Sequence, residues 1–259
     1  MNRIQHSSQL TKPSPASSTF NLESALFVPP THDSSRALFG PLHYEPKYAY
    51  PLIVWLHSPG CDERELVRTM PLISTRNYVA VAPRGFRLGG GGSDREGYGW
   101  PQTQDHIQEA EWRIFESIEV ARQKFRCAKG RVFLAGFDAG GTMAFRAGMN
   151  HPGRFAGVLS LCGAFPCGHT PFSHLNEARG LPLFLAVGHD SRRYPPDKAC
   201  EHLRLFHAAG MSVALRQYSC GHDLTEQMLR DVDRWIIEQI TAPGDPLSEP
   251  DNRWWCPLD

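Results

Sequence analysis

The chain has 259 residues, 41% of them hydrophobic and 21% charged, which is long enough for a single α/β domain with a full core. Lys plus Arg and Asp plus Glu balance at 27 each, and no basic block is longer than two residues. That distribution excludes the electrostatic footprint of a nucleic-acid or anionic-membrane binder. Seven cysteines, Cys61, Cys127, Cys162, Cys167, Cys200, Cys220 and Cys256, are an odd set without Cys-x-x-Cys spacing. They read as free thiols in a reducing compartment, so a cytoplasmic location is expected.

Residues 1–20 are rich in Ser, Pro and Gln, have no apolar signal-type run, and are expected to be a disordered arm before a domain at 21–240. Two short apolar runs follow, 25–28 and 37–39, the second continuing through Leu42 and Tyr44 in the loose alternation of an antiparallel pair. From Pro51 onward, short and continuously apolar segments alternate with amphipathic ones, the pattern of a parallel sheet covered on both faces. Strands are expected at 52–57, 79–82, 132–136, 157–161, 183–188 and 213–218, and helices at 63–75, 107–125, 139–150, 196–209 and 224–240. In the second helix Ile107, Ala110, Ile114, Ile118, Ala121 and Phe125 recur at helical spacing, which gives one face to the sheet. Gly210 is a natural stop for the fourth. The glycine-rich stretch 84–93 lacks both a Gly-Lys-Ser/Thr ending and a helix-opening context, so it reads as a surface loop rather than a phosphate cradle. Residues 241–259 carry four prolines and are expected to be an extended tail, which Trp254 and Trp255 could pack back on the body.

The most informative stretch is Phe133-Leu134-Ala135-Gly136-Phe137-Asp138-Ala139-Gly140-Gly141-Thr142. It contains Gly-x-Nuc-x-Gly, the frame that sets a nucleophile on a sharp strand-to-helix turn, with aspartate where serine normally stands. Asp190 follows the strand at 183–188, and His222 follows the strand at 213–218. Nucleophile, acid and histidine in that order, each after a strand, converge on the carboxyl edge where open α/β sheets bind ligands.

With the segments LIVWLHSPG, VAVAPRG, RVFLAGFDAGGTMAFRAGMNHPGRFAGVLSLCGAF, LAVGHD and GHDLTEQMLRDVDRWI, the chain from about Pro51 to Ile240 resembles the phospholipase/carboxylesterase group of α/β hydrolases, which includes acyl-protein thioesterases. The resemblance implies an α/β-hydrolase fold, and the link from Phe165 to Leu181 is too short for a substantial cap. The resemblance also implies carboxylic ester or thioester hydrolysis on a small-molecule acyl substrate, with no metal or organic cofactor. His222 is then the base, Asp190 its orienter, and the Ala139 N–H one oxyanion donor. Tyr98 and Trp100, after the glycine-rich stretch, become candidates to line the acyl or alcohol pocket, with core packing the competing reading.

Two departures bear on activity. Asp138 replaces the serine, and the loop after the first long strand reads His57-Ser58-Pro59-Gly60, where the group carries His-Gly-x-Gly. Proline has no N–H for an oxyanion, so Gly60 or Cys61 is the expected substitute. Losing one such donor costs about 3 to 4 kcal/mol. Acyl transfer to Asp138 is worse placed still. A carboxylate is a far better leaving group than an alkoxide, so the adduct with an ordinary ester expels aspartate with a preference of order 16 kcal/mol. The sequence therefore leaves open a weak or altered esterase, an aspartate nucleophile acting on saturated carbon as in dehalogenases and epoxide hydrolases of the fold, water activation with Asp138 or His222 as general base, and a silent binding protein. Cys162, Cys167 and His169 match no zinc spacing and carry no metal expectation.

Overall fold

A computed structural model of the chain describes residues 27–28, 35–89 and 97–241. The expected arm, most of the tail and the end of the glycine-rich stretch, from residue 90, lie outside them. Ten strands are described: β1 (Phe27–Val28), β2 (Arg36–Phe39), β3 (Tyr50–Leu56), β4 (Val79–Pro83), β5 (Phe86–Leu88), β6 (Gly97–Gly99), β7 (Cys127–Phe137), β8 (Gly157–Leu161), β9 (Leu183–Gly188) and β10 (Val213–Tyr218). The helices are α1 (Glu65–Ile73), α2 (Gln104–Lys124), α3 (Ala139–Asn150), α4 (Leu175–Ala178), α5 (Pro196–Ala208) and α6 (Glu226–Thr241).

Eight strands form one sheet in the order β1-β2-β4-β3-β7-β8-β9-β10, and β5 and β6 form a separate hairpin. The pairs from β4 to β10 are parallel, whereas β1–β2 and β2–β4 are antiparallel. The expected antiparallel opening and parallel body are both present. The continuous apolar runs follow from this placement, because every residue of β3, β4, β8 and β9 is buried between two helical layers. Leu52, Val54 and Leu56 pack with Ile107, Ile114, Phe145 and Phe206 of α2, α3 and α5. Ile53 and Trp55 face the opposite way, onto Leu66 of α1 and Val232, Trp235 and Ile236 of α6. Each large side chain so buried contributes about 1.5–3 kcal/mol.

The strand at 132–136 is longer than expected and begins at Cys127, where it pairs with Tyr50 across a register shift. Its first half is polar and partly exposed, so no apolar run marked it. The β5–β6 hairpin was not expected either, because Gly97 and Gly99 supply no apolar pattern. Its Gly99 instead allows close approach of Leu88, which would stand 2.8 Å from a Cβ there.

Candidate active site

Asp138 sits between β7 and α3 with φ 52° and ψ −119°, a conformation strained for any residue with a Cβ. The turn is over-determined from both sides. Asp138 N–H donates to Leu161 O at 2.9 Å, and Asp138 O accepts from Thr142 N–H at 3.0 Å. A Cβ on Gly140 would stand 2.2 Å from Leu56 O, so only glycine lets α3 begin against β3. Strand β7 thus aims Asp138 at the carboxyl edge of the sheet, with 17% of its side chain exposed.

The loop after β10 brings His222 to the same point. Its Nε2 is 3.3 Å from Asp138 Oδ2. That nitrogen is buried and makes no hydrogen bond of good geometry among the described residues, so the contact is electrostatic. Phe137 flanks the ring at 5.5 Å between centroids. Arg193, from the loop after β9, pairs with Asp138 Oδ2 from the solvent side, and its own side chain is 53% exposed.

The expected acid is not the residue on the histidine. Asp190 Oδ1 lies 2.8 Å from its neighbour His189 Nδ1, and 73% of its side chain is exposed. At His222 Nδ1 stands Ser191 Oγ, at 2.8 Å. Ser191 is buried, and its Oγ also accepts the Tyr194 N–H at 3.2 Å. The loops are fixed to one another through Asp190 N–H on Cys220 O and His189 N–H on Tyr218 O. These bonds turn Asp190 outward and Ser191 inward, a one-residue difference that strand patterning cannot resolve. A hydroxyl directly after the expected acid was the available signal for Ser191.

The loop that normally completes an oxyanion hole has its amides committed. Ser58 N–H donates to the Glu65 carboxylate at 3.1 and 3.2 Å, Gly60 N–H to Tyr98 O at 2.8 Å, and Cys61 N–H to Ser58 O at 3.1 Å. Pro59 has none to give. The expected substitution by Gly60 or Cys61 is therefore not realised. Ala139 opens α3, so its N–H is among those that a helix leaves without an internal partner. Tyr98 serves to hold this loop, through the bond from Gly60 and its own N–H on Cys61 O, and carries the Arg84 guanidinium over its ring at 5.0 Å. Trp100 is a core residue, 3% exposed, donating Nε1–H to His57 O at 3.0 Å. Its packing role takes the place of the pocket role expected of it.

His57 is fully buried and structural. Its Nε2 accepts the Gly85 N–H at 2.9 Å, and its Nδ1 donates to Ser58 O at 2.9 Å, which fixes a neutral Nδ1–H ring. Burial holds it below the ordinary histidine value. Glu63, also buried, receives both Arg84 Nε and Nη2, at 2.7 and 2.6 Å. These groups brace the loop.

The phospholipase/carboxylesterase family model matches residues 95–240, more than half of the chain. The chain belongs to the phospholipase/carboxylesterase family. The matched span takes in the elbow, Asp190, Ser191 and His222, but not the loop at Pro59. Solved structures agree on the fold. A carboxylesterase from Mesorhizobium loti is 20% identical, with a TM-score of 0.64 over 81% of this chain and 98% of that one. SOBER1 from Arabidopsis thaliana is 18% identical, with a TM-score of 0.62 over 74% and 100%. The Bacillus cereus carboxylesterase is 15% identical, with a TM-score of 0.59 over 84% and 96%. Family membership makes this chain a hydrolase of the ester-cleaving class. Among the described residues no helix is long and apolar enough to cross a membrane.

Proposed function

We propose that the protein hydrolyses a small or exposed carboxylic ester or thioester by attack of water at the Asp138–His222 pair, more slowly than a serine enzyme of this fold. The observation that carries this reading is the buried His222 Nε2, unbonded yet 3.3 Å from Asp138 Oδ2. A buried polar atom without a partner is costly to keep. In a cleft, it is accounted for by a partner that comes and goes, here water or the substrate. Direct attack by Asp138 on an ester is opposed by the leaving-group preference of order 16 kcal/mol given above.

Attack on a saturated carbon is disfavoured by the connection from β8 to β9. Residues 162–182 contain only the four-residue helix α4, too little for a cap that would bind a departing halide or epoxide oxygen. A binding role without turnover is the second reading, and the committed amides at Ser58, Gly60 and Cys61 favour it.

The test compares the wild type with Asp138→Ala and His222→Ala on short p-nitrophenyl esters and acyl thioesters. Hydrolysis that drops in both variants is expected, and equal rates in all three overturn the proposal in favour of binding. Single turnover in heavy-oxygen water separates direct water attack from a route in which Asp138 attacks saturated carbon and its own carboxyl carbon is then hydrolysed. Label in the released acid but not in the Asp138 peptide is expected, whereas label in Asp138 establishes a covalent step.

A further inference from the structure

The site holds the parts of a hydrolytic triad in exchanged positions. In the usual arrangement a carboxylate sits at the histidine Nδ1, which keeps the proton there and turns the Nε2 lone pair toward the reacting hydroxyl. Here the carboxylate, Asp138, stands at Nε2, and the hydroxyl, Ser191, stands at Nδ1.

An ionised carboxylate only accepts hydrogen bonds, whereas a serine hydroxyl both donates and accepts. A bare Nε2 only 3.3 Å from the Asp138 carboxylate would place two electron-rich atoms side by side, so even without hydrogen-bond geometry the carboxylate's charge favours the neutral ring that carries its hydrogen on Nε2. Nδ1 is then bare and needs a donor. Ser191 can provide one, because the Tyr194 N–H already occupies an Oγ lone pair and leaves the hydroxyl hydrogen for the ring. We infer that Ser191 is a positioning residue that holds His222 as its Nε2–H tautomer, which makes Asp138, and not the histidine, the base of the site.

The step this permits balances without His222 changing its proton count. Water attacks the acyl carbon and its proton passes to Asp138. When the tetrahedral adduct collapses, the bond to the leaving oxygen or sulfur breaks, and that proton passes from Asp138 to the leaving atom. Nε2–H stays in place as a hydrogen-bond donor to the charge that develops. A neutral imidazole used as a donor is an established device at active sites. A carboxylate is a weak base at neutral pH, which agrees with the slow turnover proposed.

The kinetic consequence rests on the hydrolase reading, but the tautomer does not, so the two can fail separately. The measurement is a two-bond proton–nitrogen correlation spectrum of the full chain with labelled histidine, at a pH where the rings are neutral, with the His222 signals assigned by their loss in His222→Gln. His57 is an internal reference, since its bonds fix the opposite, Nδ1–H, form. The expected spectrum gives His222 a protonated Nε2 and a bare Nδ1, and in Ser191→Asp, with a carboxylate at each nitrogen, Nδ1 is expected to gain a hydrogen as well. A wild-type His222 protonated on Nδ1 overturns the inference, as does a ring whose Nδ1 stays bare in Ser191→Asp. Should Ser191→Asp not fold, Asp138→Ala serves: loss of the single Nε2–H form is expected, and an unchanged ring counts against the inference. In kinetics, Asp138→Ser with Ser191→Asp restores the usual order, and is expected to exceed either single variant on p-nitrophenyl esters by about tenfold or more. A double variant no faster than Asp138→Ser overturns the catalytic part. Expected tautomers without wild-type ester turnover would sink the hydrolase reading alone.

Discussion

Gly188 lies so close to Gly221 that a Cβ on the first would stand 1.8 Å from the carbonyl oxygen of the second. This contact sets the end of β9 against the loop after β10, and so places Ser191 on His222 Nδ1. The obstruction is backbone, which cannot rotate away as a side chain can. Gly188→Ala is therefore expected to separate the two loops and lower stability by about 1–3 kcal/mol or more. Thermal unfolding measures the loss. A variant with an unchanged melting temperature and an unchanged His222 spectrum would show that the loops are not held by this approach.

His57 makes stability depend on pH. Its folded-state value is depressed by burial below the ordinary 6.5. As pH falls through about 6.5 the unfolded chain takes up the proton first, so the stability present above that value is lost toward the folded-state value. His202 is also lowered, chiefly by burial, and adds the same sign. Urea unfolding between about pH 7.5 and about pH 5.5 is expected to show a smaller decline for His57→Gln than for the wild type. Parallel declines would mean that other groups carry the dependence.

The buried strands of the sheet and the elbow were legible because both write themselves in local pattern. Strands buried on two faces must be apolar throughout, and the elbow needs small residues at Gly136 and Gly140 whatever its chemistry. Ser191 was not legible, since which of two adjacent loop residues turns inward depends on the bonds of Asp190 N–H and His189 N–H to another strand's end. Arg193 was equally hidden, because its pairing with Asp138 spans 55 residues of sequence. The fate of Gly60 shows the same limit. Its N–H looked available beside Pro59, but the β5–β6 hairpin, which no periodicity announced, brings Tyr98 O to it.

Cysteine reactivity follows burial here. Cys162 lies under the site and is buried, which pushes its thiol up to about 12, while Cys167 and Cys200 are exposed. The thiolate is the reactive form, so Cys162 is expected to resist alkylation under native conditions while Cys167 and Cys200 react. Peptide mapping after brief iodoacetamide treatment reads this directly. Early modification of Cys162 would require the β8 end to open in the native state.

Asp138→Ser tests how much of the serine enzyme survives beneath the substitution. It restores a nucleophile on a turn already held by Leu161 O and Thr142 N–H, with His222 in reach. Ester hydrolysis is expected to rise above wild type but to stay far below a complete site, because a hydroxyl and not a carboxylate stands at His222 Nδ1 to orient the ring, and the amides of Ser58, Gly60 and Cys61 are committed elsewhere. Adding Pro59→Gly supplies the missing N–H at the position where the family carries one. One oxyanion donor accounts for about 10²–10³ in rate, so Asp138→Ser with Pro59→Gly is expected to gain up to that factor in kcat over Asp138→Ser, with KM little changed. A gain in KM alone would place residue 59 in substrate binding. No gain in a folded double variant would mean that this loop, pinned by Glu65 and Tyr98, faces away from the reacting carbonyl, and that Arg193 or the Ala139 N–H carries the oxyanion instead.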